Sequence, residues 1–275
     1  MSKIKSLYIL LLCFCFAFAG KSQNFEYIEN KGQWDSRVHY QGSLHSGAFF
    51  IQNNGYRVLQ YDTSELRTVQ NRLTGHGQQS SENTNTRNLR KSAPGKLPDD
   101  ETVRAHAYEV KFAGANGKVF PTPSKTVTGY SNYFIGNDPS KWASNVKSYN
   151  TVTYSNMYNG VDVVYYSDNG FLKFDIVVKP NVNVGNIAME YNGIEKLTLK
   201  NGALIIKTSV SEIKESKPYA YQVINGQRVE VQCNYELFGN TVKYKMGKYD
   251  PAATLVIDPT LIFCTFTGSQ SDNMG

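Results

Sequence analysis

Residues 129–178 read GYSNYFIGNDPSKWASNVKSYNTVTYSNMYNGVDVVYYSDNGFLKFDIVV, and the second half of this stretch decides the fold. From Phe171 to Val178 the residues alternate: Leu172, Phe174, Ile176 and Val178 share one face, and Phe171, Lys173, Asp175 and Val177 share the other. A period of two marks a half-buried antiparallel strand. Val161, Val163 and Tyr165 repeat the pattern, so Tyr165 belongs to the apolar face. Between the runs lies Ser167-Asp168-Asn169-Gly170, and a two-residue Asn169-Gly170 turn is favoured because both residues tolerate the left-handed backbone of a tight hairpin. That turn sets Asp162 opposite Val177 and Asp175 opposite Val164. A four-residue loop would place the two carboxylates directly opposite each other, and we adopt the register that avoids this repulsion. Upstream, Asn132 to Trp142 reads as a short apolar run stopped by Gly136, Asn137 and Asp138-Pro139, followed by a loop that the Trp142 indole pins down.

The same signals extend in both directions. After Val178, Ile187, Met189 and Tyr191 alternate with polar residues. The Asn201-Gly202 turn then sets Leu199 opposite Leu204 and Leu197 opposite Ile206, four aliphatic residues on one face. Ala220–Ile224, Arg228–Tyr235, Thr241–Met246 and Leu255–Ile257 continue the series, with Asn225-Gly226 and Gly239-Asn240 between them. Before residue 129, strands are expected at Phe25–Ile28, Val38–Gln41, Ala48–Gln52, Tyr56–Tyr61 and Ala105–Phe112, with a hairpin at Asn53-Asn54-Gly55. Val119-Phe120 begins a return strand that Pro121 and Pro123 interrupt. No segment of helical period reaches three turns. The expected fold is all-β, an antiparallel β-sandwich; the alternative is two β-subdomains split by a polar tract.

Composition also divides the chain along its length. Residues 1–19 read as a secretory signal peptide: Lys3 and Lys5, an apolar run from Leu7 to Phe18, and the small-residue site Ala17-Phe18-Ala19. The run is too short for a membrane helix, so no membrane span is expected after cleavage. A lipoprotein reading through Cys13 or Cys15 fails because large residues precede both. Residues 24–62 form a first β segment, 63–104 a polar flexible linker, 105–259 the main sandwich and 260–275 a distinct tail. The linker is rich in Ser, Thr, Asn, Gln and Gly and buries too little to offset its ordering entropy. Its cluster Arg87, Arg90 and Lys91 reads as solvated, with a protease processing site as the sharper alternative.

Composition excludes several classes. The net charge of +6 is dispersed, and without a basic stripe or a nucleic-acid motif we expect no nucleic-acid partner. Cleavage would leave Cys233 and Cys264; Cys233 is in phase with Val229 and Val231 and reads as a buried thiol, while sequence alone leaves their pairing open. His39 and His45 lack a third ligand at a characteristic spacing, so no metal is expected, and no motif calls for a cofactor. HExxH, G-x-S-x-G, P-loop, C-x-x-C pair and EF-hand patterns are all missing from the sequence. No catalytic residue is assigned. The candidate ligand-binding residues are Asp162, Asp175 and Tyr166, on one face with Lys173, where a Lys173–Asp175 or Tyr–Asp contact is the plain structural expectation.

Asn30-Lys31-Gly32-Gln33-Trp34, NYFIGNDPSKW, Val152-Thr153-Tyr154, Tyr158 to Tyr166, Phe174 to Val178 and Leu255-Val256-Ile257-Asp258-Pro259 together resemble a family of unknown function in secreted Bacteroidota proteins. The resemblance runs from about Glu26 to the C-terminus, and it implies a domain that precedes SBBP repeats, the bacterial seven-bladed β-propeller type. Leu261 to Gly275 resembles the opening of one such repeat, with Thr267, Ser269 and Asn273 departing from the family's Leu, second Gly and second Asp. A lone repeat cannot bury its own face, so the resemblance implies further repeats beyond Gly275.

The expected function is therefore non-enzymatic: an exported surface module that caps or presents the downstream propeller repeats, with a surface protein or glycan as partner. A carbohydrate-binding or carbohydrate-active domain using Asp162, Asp175 and neighbouring aromatics is the second expectation. A glycosidase would need the two carboxyl groups roughly 5 to 9.5 Å apart in an open groove. An exposed sheet edge that binds an outer-membrane partner is the third.

Overall fold

The structure is a computed structural model that describes residues 24–44, 46–73, 102–117 and 119–262. The expected signal peptide of residues 1–19, His45, the Arg87, Arg90 and Lys91 cluster, Cys264 and the stretch from Phe263 to Gly275 lie outside the described residues. The strands are β1 (Tyr27–Glu29), β2 (Val38–Leu44), β3 (Gly47–Gln52), β4 (Gly55–Tyr61), β5 (Ala105–Phe112), β6 (Thr122–Thr126), β7 (Ser131–Tyr133), β8 (Ala143–Val146), β9 (Ser148–Tyr158), β10 (Val161–Asp168) and β11 (Phe171–Val178). They continue as β12 (Ala188–Asn192), β13 (Lys196–Lys200), β14 (Ala203–Lys207), β15 (Glu212–Glu215), β16 (Tyr219–Ile224), β17 (Gln227–Val231), β18 (Cys233–Phe238), β19 (Thr241–Met246), β20 (Leu255–Asp258) and β21 (Thr260–Ile262). One helix, α1, spans Thr63–Leu73.

The all-β antiparallel sandwich expected from the alternation is the fold observed. One layer follows β1-β2-β3-β4-β5-β12-β19-β18. The other starts at β6-β9-β10-β11 and forks, because the C-terminal half of β11 pairs with β20 and its N-terminal half with β21. From there β20 leads to β16 and β17, and β21 to β15, β14 and β13. Strand β9 joins the layers, since Tyr149 pairs with Tyr27 of β1 while Thr151 to Tyr158 pair with β10. Strands β7 and β8 form a separate ribbon.

Turn chemistry fixes the hairpin registers. Asn169 and Gly170 sit at φ 52° and 76°, the left-handed pair that a two-residue hairpin requires. Asp162 accordingly pairs with Val177 and Asp175 with Val164. Asn201-Gly202 gives Leu199↔Leu204 and Leu197↔Ile206 as expected, though Leu199 lies near the sheet end and stays 41% exposed. Gly55 answers a different need: a Cβ there would lie 2.0 Å from the Val110 carbonyl oxygen, so only glycine lets β4 approach β5.

The inward faces meet in one aromatic core. Phe49 and Tyr56 of the first layer pack on Tyr165 and Phe174 of the second, with Tyr56 6.2 Å from Tyr165 and 6.0 Å from Phe174 between ring centroids. Phe112 meets Phe174 edge-to-face at 6.5 Å. Offset and edge contacts of this kind add to the burial of rings that are themselves fully enclosed.

Three expectations are corrected. The first turns of the polar tract are helical: Asp62 Oδ1 accepts the N–H groups of Ser64 and Glu65 at 3.0 and 3.3 Å, and Arg104 bridges Asp62 and Glu65, both at 2.6 Å. Capping and the acidic first turn outweigh the thin apolar stripe, in which Val69 is buried. Second, the tract does not separate two subdomains, because β4 and β5 on either side of it pair over their lengths. Third, the return strand does not begin at Val119-Phe120: it starts after Pro121, at Thr122, and Pro123 does not break it. Pro123 sits within β6, opposite Val152, on an edge strand that needs no donor outward.

Candidate functional site

The outward face of the second layer gathers the polar residues that alternation assigned to it. Tyr166 of β10 lies opposite Lys173 of β11 on one side and Thr151 of β9 on the other. Beyond Thr151, Ser124 of β6 completes the row. Tyr166 donates its hydroxyl to Asp175 Oδ1 at 3.0 Å, so the expected Tyr–Asp contact is present. Lys173 turns away from Asp175 to Asp258 Oδ2 at 3.4 Å and Asp168 at 3.9 Å. The carboxylate that acts on Asp175 is Asp258, not Asp162. Burial, and then the Asp258 charge, push the Asp175 carboxyl up to about 6, against the Tyr166 hydrogen bond and the Lys173 and Arg228 charges. Tyr166 is raised for the same leading reason, with Asp175 second.

Beside this pair lies a groove of about 490 Å³, lined by Asn24, Lys125, Asn150, Thr151, Val164, Tyr166, Ser167 and Asp175. Two of the three sequence candidates, Tyr166 and Asp175, therefore share a concave surface. Asp162 does not join them. It accepts the Asn156 N–H at 2.7 Å and pairs with Lys179 at 3.4 Å, at the opposite end of the hairpin. The face continues past Asp258 to a stacked pair, Tyr219 and Tyr221, with the Arg228 guanidinium 4.3 Å from the Tyr221 ring centre. Among the described residues, no group of three His, Cys, Asp or Glu side chains is placed to hold a metal. No described helix is long and apolar enough to cross a membrane.

The NYFIGNDPSKW motif forms the loop between β7 and β8. Asp138 caps a 3-10 turn by accepting from Ser140, and the Trp142 indole donates to the Gly136 carbonyl at 3.3 Å, the pinning expected of it. The loop leaves its apolar tip in solvent, with Phe134 and Ile135 63% and 53% exposed; Tyr130, just before β7, is 66% exposed. His39 contacts the Asn53 side-chain oxygen at 2.5 Å. Cys233 is buried, and burial pushes its thiol up to about 12.

One residue escaped the sequence reading. Glu215, the last residue of β15, is fully buried and accepts hydroxyl hydrogen bonds from Tyr235 at 2.7 Å and Tyr191 at 2.9 Å. Burial pushes its carboxyl up to about 7, against those two donors. The signal was present, since a period of two from buried Ile213 places Glu215 inward.

No curated protein and no solved structure matches the chain. A family model does match, over residues 27–260, a range that opens with β1 and closes on the first residue of β21. The chain belongs to that family, described as Domain of unknown function (DUF7948).

Proposed function

We propose that the chain is a non-enzymatic, exported surface module of the Bacteroidota type that caps and presents a downstream array of SBBP propeller repeats. The signal-peptide pattern of residues 1–19 and the repeat-like Leu261 to Gly275 motivate the setting. One observation carries the mechanical role. The exit segment is not a loose tail: β20 is hydrogen-bonded between β11 and β16, and β21 between β11 and β15. A chain that leaves from inside a sheet transmits position and load to the segment beyond it, because displacing it breaks ladders on both edges. The loop tip of Phe134 and Ile135 supplies exposed apolar surface suited to a contact with another molecule.

The test compares the full-length protein with one lacking residues 24–259. Secretion should persist, while protease resistance of the downstream part and surface adhesion fall. Equal resistance and equal adhesion in both proteins would remove the proposal.

A further inference from the structure

We infer that the groove between β6, β9 and β10 is a binding site for a neutral, hydroxyl-rich saccharide. Its unused hydrogen-bonding capacity is specific in kind. Asp175 Oδ1 is occupied by the Tyr166 hydroxyl, and its second oxygen has no donor among the described residues. The Asn150 amide, the Thr151 hydroxyl and the Lys125 ammonium, all lining the same groove, likewise have no side-chain partner among the described residues. The surface therefore offers acceptors and donors side by side, the complement of adjacent sugar hydroxyls, which donate and accept at once. At about 490 Å³ the groove falls in the size range of small-molecule sites.

The backbone adds an independent observation. Eight non-glycine described residues have positive φ; seven are asparagines, and the eighth is Lys125 at φ 56°. A lysine gains no local hydrogen bond in that conformation, which costs about 1–2 kcal/mol. The register skips Lys125 between Ser124↔Thr151 and Thr126↔Tyr149, which turns this residue of the edge strand onto the groove. Sparsely populated backbone of this sort gathers where a side chain must be aimed at a ligand.

Charge decides the ligand class. A metal ion would meet one lining carboxylate beside a lysine, too few oxygens for a hard cation. A phosphate or sulfate would meet the Asp175 carboxylate with a single lysine to offset it. A neutral polyol meets neither objection. Val164 supplies an apolar patch for the sugar's C–H face.

The full-length chain is applied to a printed array of neutral and acidic oligosaccharides, and the strongest neutral hit is titrated calorimetrically. Binding to a neutral saccharide should weaken at least tenfold in both Asp175→Asn and Asn150→Ala and stay unchanged in Asp162→Asn, whose carboxylate lies elsewhere. Asn150 is exposed, so its variant keeps the fold and guards against misreading a folding defect. No neutral hit, acidic hits only, or unchanged affinity in the two groove variants would overturn the inference. None of these results bears on whether the module caps a repeat array.

Discussion

Glu215 offers a quantitative test of the core. Its carboxyl is raised from the ordinary 4.5 to about 7 in the folded protein, chiefly by burial. Below about pH 4.5 the group is protonated in folded and unfolded chains alike, and its contribution is complete. Between pH 4.5 and 7 the unfolded chain has released the proton and the folded chain still holds it, so stability falls as pH rises. Above 7 the loss is complete. At 1.36 kcal/mol per pKa unit the total is about 3 kcal/mol. Glu215→Gln resembles the protonated form and cannot ionise. Urea unfolding of both proteins, followed by far-UV circular dichroism at pH 4.5 and pH 8, should show the stability difference between variant and parent moving by about 3 kcal/mol in the variant's favour. With m-values of about 1–3 kcal/mol/M, that is a relative midpoint shift of about 1–3 M. Parallel pH profiles would refute the reasoning, because they would mean that the folded state ionises Glu215 without penalty. Glu215→Leu separates the hydrogen-bonding role: Tyr235 retains the Ser216 carbonyl at 3.1 Å, whereas the Tyr191 hydroxyl loses its acceptor. That variant should cost about 1–3 kcal/mol at pH 4.5.

Other expectations rest on local geometry. Asp62→Ala removes the cap of α1 and a partner of Arg104, and should cost about 1–2 kcal/mol in urea unfolding at pH 7. The Ser64 hydroxyl bond and the N–H groups of the first turn hold the Asp62 carboxyl below its usual range, so this contribution is present above about pH 4 and fades as pH falls further. Cys233, in a background with Cys13, Cys15 and Cys264 all replaced by serine, should resist a thiol reagent such as iodoacetamide at pH 8 until urea unfolds the chain; labelling of the folded protein at the free-thiol rate would contradict its burial. Phe134→Ser and Ile135→Ser should change stability by less than about 0.5 kcal/mol while lowering self-association in light scattering, because both side chains face solvent.

What the sequence disclosed divides along physical lines. Hairpin registers were legible because Asn169-Gly170 and Asn201-Gly202 dictate local geometry, and with the first came the correct prediction that Asp162 and Asp175 are not directly opposed. The helix α1 was missed because its apolar residues are few; its signature was the cap, Asp62 with Glu65 three residues later. Glu215 was missed because no strand was assigned between the Asn201-Gly202 hairpin and Ala220, and a four-residue strand with one aliphatic residue, Ile213, gives too short an alternation to stand out. Alternation says which face a residue occupies but not which strand lies alongside. The pairing of β1 with β9 and the insertion of β21 between β11 and β15, both distant in sequence, left no local mark. The groove shares that cause, since Lys125 meets Asn150 and Asp175 only through the pairing of β6 with β9.

The placement of β20 and β21 also governs when the domain becomes complete. These strands follow in sequence every strand they pair with, and until they are added the flanking edges of β11, β15 and β16 have no neighbours. Such open edges recruit other chains. Leu255–Ile262 thus act as an internal clasp that closes three edges at once.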